Sequence, residues 1–235
     1  MGLIGPRLTP EHRIPLPPGT IITPQGEQAR FGVFYASLLQ MIGRYPNAML
    51  NPDGSPRIRW VQGVDIAFNM NHALRNLYPD SQWAWIIGDD HIWQPDLIER
   101  LWQRQVDIVA PLCLKRSTPH TPVQWDLEMK PIPMGESEAP HLKQVGIAGG
   151  AGMLISIKAL EMIGDPWFRF LPTNTERWGE DIWFCRRAAE VGLPVYVDSE
   201  VVLGHINHVQ IWPKWDPEKK KWLVEYRMHG QCEVM

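Results

Sequence analysis

Trp83-Ala84-Trp85-Ile86-Ile87-Gly88-Asp89-Asp90-His91 is a short apolar run that stops abruptly at two carboxylates and an imidazole. A run without polar alternation suits a strand buried on both faces of a parallel sheet. In open α/β sheets, ligands bind just beyond the carboxyl ends of the strands. Asp89, Asp90 and His91 stand at such an end, where they offer hard oxygen donors and one nitrogen to a divalent metal. Neighbouring acids repel one another, so a pair at a strand end calls for a cation. A metal held there would bridge a diphosphate.

Working outward, apolar strands alternate with amphipathic helices, the signature of an α/β sheet. Strands are predicted at 20–24, 58–61, 107–114 and 193–202, and a glycine-broken one at 145–157. Helical spacing covers 31–43, 65–77, 96–103 (with Pro95 in its first turn), 158–163 and 180–191, the last closed by Gly192. Residues 118–143 and 165–178 lose periodicity, and stretches of that kind are usually functional. The expectation is a single Rossmann-like α/β domain with a mostly parallel central sheet flanked by helices. It is preceded by an extended segment (1–19), occupies 20–208, and is followed by a tail (209–235) without a clear pattern.

Composition narrows the function. With 44% hydrophobic residues, the 235-residue chain can bury one sizeable core. A net charge of −3 provides no electrostatic footprint for nucleic acid. No apolar run approaches the roughly 18 residues of a membrane span, and the first residues lack a charged-then-apolar leader pattern. Cys113, Cys185 and Cys232 form no CxxC pair and read as reduced thiols of a cytoplasmic protein. Most of the 12 tryptophans are expected in the core or a subunit contact, and a minority in a cleft where sugars or bases stack. Trp212, Trp215 and Trp222 in the tail offer a self-association surface, so a homo-oligomer is among the expectations.

Four features follow in order: the strand ending in Asp89-Asp90-His91, the strand Gly149-Gly150-Ala151-Gly152, the helix start Trp178-Gly179-Glu180-Asp181, and Gly204-His205. Their order and spacing resemble the GT-A-fold glycosyltransferases, most nearly the family 2-like enzymes that use nucleotide-sugar donors. The resemblance implies a GT-A-like domain and a variant DxD motif whose carboxylate holds Mn²⁺ or Mg²⁺ against the donor diphosphate. Two registers stay open. Asp90 can be the final position, with Gly88 in place of the first acid. Alternatively Asp89 opens a D-x-H variant closed by His91, which is the preferred set. His205 matches the histidine that completes the metal shell in such enzymes, with Asp90 a near-equal ligand and His208 a competitor for His205.

The same resemblance places the general base in the acidic pair, with Asp181 taking the acceptor proton and Glu180 orienting the acceptor. Simple capping of a helix N-terminus is the plain alternative for both. Donor contacts fall on Thr23, Gln25, Gln28 and Arg30 after the first strand, on Asn69 and Asn71, and on Asp89; Gly149, Gly150 and Trp178 would border the sugar or acceptor. The implied activity is metal-dependent transfer of a hexosyl group from a UDP- or GDP-sugar to an acceptor hydroxyl, inverting if Asp181 is the base. Retention is the alternative, because the D-x-H variant occurs in retaining relatives. Sugar nucleotidyl transfer, or a degenerate protein that binds glycan or nucleotide without turnover, are the competing readings. The acceptor carries no readable code.

Overall fold

The computed structural model describes residues 14–25, 32–63, 65–133, 140–172, 177–206, 210–228 and 231–234. The first part of the chain builds β1 (Thr20–Pro24), α1 (Gly32–Arg44), the short α2 (Pro46–Met49), β2 (Ile58–Val61), α3 (Ile66–Arg75) and β3 (Trp83–Ile86). β1 lies parallel to β2 on one side and β3 on the other, with helices making the returns. Asp65, where the helical spacing begins, caps α3 by accepting the Phe68 amide at 2.7 Å.

The middle of the chain forms β4 (His91–Ile92), α4 (Leu97–Trp102), β5 (Ile108–Cys113), β6 (Gln124–Trp125), β7 (Leu142–Val145), β8 (Ile147–Ala148), β9 (Met153–Ser156) and α5 (Ile157–Ile163). β9 runs antiparallel between β3 and β5, so the central sheet is mixed. After β10 (Leu171–Pro172) and β11 (Arg177–Trp178) come α6 (Glu180–Glu190) and the 12-residue β12 (Val195–Ile206). Gly192, at φ 77°, ends α6 in the left-handed conformation that glycine adopts without strain.

Period-two alternation divides the core between the two faces of this sheet. Ala84 and Ile86 pack with Met70, Leu160 and Phe184 on one face. Trp83 and Trp85 pack with Phe34, Leu38 and Leu97 on the other. Both indoles are fully buried, and their N–H groups donate to the carbonyls of Pro17 and Gly152. The abundance of tryptophan in β3 is therefore a packing feature. The result is a single α/β domain with helices on both sides of the sheet, as expected.

Two regions differ from the periodicity reading. β12 continues past the expected end at 202, and the continuation pairs antiparallel with β4. The unassigned tail forms β13 (Gln210–Asp216), β14 (Lys221–Met228) and β15 (Gln231–Val234), an antiparallel meander added beside β12. Its alternation is masked because Glu225, a charged residue, points inward and is paired there with Lys214 at 3.1 Å.

Gly204 lets β4 and β13 meet on β12: a Cβ there would lie 2.6 Å from Trp212 and 2.7 Å from Ile92. Gly204→Ala is expected to lower stability by about 1–3 kcal/mol through overpacking. Denaturant melts check this, and an unmoved midpoint would contradict the packing of Trp212 over β12.

Candidate active site

A cavity of about 580 Å³ opens where β1, β3 and β5 end, the position expected of a ligand site in an α/β sheet. Its walls include Asp89, Asp90, His91 and His205 on one side, and Glu180 and Asp181 on another. Gln25, Asn69, Gly149 and Gly150 also border it.

Register assembles the first group. His91 in β4 pairs directly with His205 in β12, so their side chains share a face, and the rings stack 4.4 Å apart. Asp90 sits between them and an arginine. Its Oδ1 accepts from His91 Nδ1 at 2.9 Å, while Oδ2 lies 3.4 Å from His205 Nε2 and 3.0 Å from Arg116 Nη1. Burial alone would raise the Asp90 pKa. Hydrogen bonds from His205 and His91, together with their charge, outweigh it and hold the carboxyl well below the usual range. Gly88 makes room for this arrangement, since a Cβ at that position would meet Asp90 Oδ1 at 2.9 Å and His91 Nδ1 at 3.2 Å. The glycine where a first DxD acid would stand thus has a steric reason.

The donors fit a cation. His205 Nδ1 donates to the Leu114 carbonyl at 2.9 Å, which turns Nε2 toward the Asp90 carboxylate. An imidazole lone pair facing an ionised oxygen requires positive charge between them, a proton or a metal. His91 is 4% exposed, and its Nε2 is buried without a hydrogen-bond partner. A buried orphan nitrogen beside a carboxylate is what a ligand position looks like before its ion is added.

The acidic pair opens α6, whose N-cap is Gly179 and therefore supplies no side-chain cap. A Cβ at 179 would stand 2.6 Å from Asp181 Oδ1, so the glycine leaves space for that carboxylate. Asp181 accepts the Ile182 amide at 2.8 Å. Burial raises its pKa, with the amides of Ile182 and Gly150 drawing against the rise. Burial, then the charges of Asp181 and Asp65, push Glu180 up to about 7. Near neutrality this corner holds a proton that the Asp90 corner cannot.

Other expected contacts fall elsewhere. Asn71 does not border the cavity: its amide donates to the Phe168 carbonyl and accepts from the Trp167 and Phe168 amides. Thr23 is fully buried inside β1, with an unpartnered Oγ1. Gln28, Arg30 and His208 lie outside the described residues, as does the side chain of Trp178. No tryptophan is among the described residues that line the cavity. Sequence reasoning passed over Arg116, Asp65 and Cys113. Cys113 ends an apolar strand just as Asp89 and Asp90 follow one, and that was the signal available for it. No helix among the described residues is long and apolar enough to cross a membrane.

The chain matches no described protein family, and no curated protein resembles it in sequence. Solved structures do resemble it in shape. A197 from STIV superposes with a TM-score of 0.56 at 13% identity, over 86% of this chain and 92% of that one. GalNAc-T7, in a crystal structure with UDP, GalNAc and Mn²⁺, gives a TM-score of 0.55 at 11% identity. That match covers 80% of this chain and 44% of GalNAc-T7. At such identities the likeness establishes the fold, which is GT-A-like.

The raised pKa of Glu180 has a consequence for stability. Its folded value of about 7 exceeds the ordinary 4.5, so its contribution is fully present below pH 4.5 and is lost as pH rises through 7. Glu180→Gln is therefore expected to stabilise the protein at about pH 8, by up to about 3 kcal/mol, and to have little effect near pH 4. Urea melts at the two pH values measure the difference; an equal effect at both would contradict the burial of this carboxyl.

Proposed function

We propose that this chain is a glycosyltransferase that moves a sugar from a nucleoside diphosphate sugar to an acceptor hydroxyl. The observation that carries the reading is one cavity at the strand ends with an ionised, histidine-braced carboxylate on one wall and a proton-holding acid pair on another. A GT-A-like fold supports it, as does the UDP, GalNAc and Mn²⁺ present with the similarly folded GalNAc-T7. UDP- or GDP-sugars are the donors in this reading. Gln25, Asn69 and Asp89 border the donor, and Gln28 and Arg30 complete the set expected around it.

Asp90, His91 and His205 hold a divalent cation, with Asp89 beside them. When bound, such a cation stabilises the charge that develops on a departing diphosphate. Asp181 accepts the proton of the acceptor hydroxyl as that oxygen bonds to the anomeric carbon and the bond to the diphosphate oxygen breaks. Its partly desolvated carboxylate is a stronger base than one in water. Glu180, which keeps a proton near neutrality, donates a hydrogen bond that orients the acceptor. Gly149 and Gly150 let sugar or acceptor approach the backbone closely, and Trp178 offers a ring on which either can stack. Attack opposite the leaving group inverts the anomeric centre.

Asp181→Asn is expected to retain donor binding, seen as an unchanged thermal shift with UDP- or GDP-sugar, and to lose about 100-fold to 10,000-fold in transfer. Retained transfer would overturn the base assignment. Release of pyrophosphate from a nucleoside triphosphate and a sugar phosphate would replace the reading with nucleotidyl transfer. Asp90→Ala is expected to abolish the cation-dependent part of the donor shift while circular dichroism stays native.

A further inference from the structure

Three neighbouring strands meet at one point: β4 begins with His91, β5 ends with Cys113, and β12 carries His205 one residue before its end. Cys113 pairs in parallel register with Leu203, and His205 lies two residues further along β12, on the same face. One ligand atom from each of His91, Cys113 and His205 falls within 4.8 Å of the others. A single carbonyl, that of Leu114, accepts from His205 Nδ1 at 2.9 Å and from the Cys113 thiol at 3.7 Å. The carbonyl orients the His205 ring, as second-shell acceptors do around metal-binding histidines, and its contact with Cys113 places the sulfur beside that ring while the thiol keeps its proton. His91 supplies the independent sign of a ligand: it is more than nine-tenths buried and its Nε2 has no partner.

Carboxylates and water suit Mg²⁺ and Mn²⁺, whereas imidazole with thiolate suits borderline-soft ions. Mn²⁺ stands lowest among the first-row divalent ions in affinity for such donors, and Zn²⁺ well above it. Three protein ligands with a further position open toward a cavity is the usual plan of a reactive zinc site.

We propose that His91, Cys113 and His205 form a Cys-His₂ site for a thiophilic divalent cation of the Zn²⁺ class, in preference to Mn²⁺ or Mg²⁺. Asp90 Oδ1 accepts from His91 Nδ1 and orients that ligand, while Oδ2, 3.4 Å from His205 Nε2 and 3.0 Å from Arg116 Nη1, faces the cation from beside it, as in the transferase reading. The thiol proton is released to solvent when the metal–sulfur bond forms. The inference shares its cation site with the transferase reading. It is tested without nucleotide or acceptor, so that failure of one does not imply failure of the other.

Co²⁺, which occupies zinc sites and absorbs light, is titrated into chelator-treated, reduced full-length protein. A thiolate-to-cobalt charge-transfer band is expected in the near ultraviolet. It should persist in Cys185→Ser, vanish in Cys113→Ser, be abolished by one equivalent of Zn²⁺, and survive about a hundredfold excess of Mn²⁺. Zn²⁺ affinity should fall in Cys113→Ser by at least the roughly 10–100-fold that loss of an outer partner alone costs. Should Cys113→Ser not fold, His205→Ala is expected to weaken Zn²⁺ binding and shift the cobalt spectrum. No charge-transfer band in the unaltered protein, a band undiminished in Cys113→Ser, or ready displacement of Co²⁺ by Mn²⁺ would each overturn the proposal.

Discussion

The carboxylate of Asp90 is the centre on which the strand ends depend. An isolated buried carboxylate is costly by several kcal/mol and tends to take up a proton. Here His91, His205 and Arg116 surround it, and the backbone joins in: the Ile206 amide donates to the Asp90 carbonyl at 2.7 Å. Side chain and main chain thus fasten β4 to β12 at the same residue. The constraint reaches outward to Gly88, whose missing side chain leaves room for the carboxylate. It reaches also to Gly204, whose missing side chain lets Ile92 and Trp212 close over the pairing.

The two acidic walls of the cavity are both half-buried, yet their protonation runs in opposite directions. Cationic and N–H partners hold Asp90 ionised, whereas Glu180 faces Asp181 and Asp65 and is raised toward neutrality. Identical functional groups become an anion and a proton reservoir through their neighbours alone. A leaving group that gains negative charge and a nucleophile that sheds a proton need those two conditions at once. The sheet supplies them because one set of ligands comes from strand ends and the other from the first turn of α6.

Around this centre the structure is conventional in its physics. Trp83 and Trp85 fill one face of the sheet while Ala84 and Ile86 leave the other to the aliphatic side chains of α3 and α5. The antiparallel β9 between β3 and β5 carries the Gly149–Gly152 segment to the cavity edge. Gly152 is held there at φ 73°, with a Cβ excluded by Pro111 at 2.7 Å. The glycine-rich stretch is thus a consequence of close approach to neighbouring strands as well as to the cavity.

Local pattern in the chain determined most of the elements: the strand that runs into Asp89, the helix that begins at Asp65, the Gly192 stop and the acidic start of α6. Each depends on residues a few positions apart, where spacing and backbone preference act directly. It also marked strand ends as the place for chemistry. Tertiary structure decided what meets there. Nothing local tells that Asp90 is the acid lodged between two histidines, that Asn71 fastens Phe168, or that the tail completes the sheet. The approach of Cys113 to His91 and His205 follows from the registers Leu203–Cys113 and His205–His91. Those are pairings between residues about ninety or more positions apart, set by which faces the whole core can bury together.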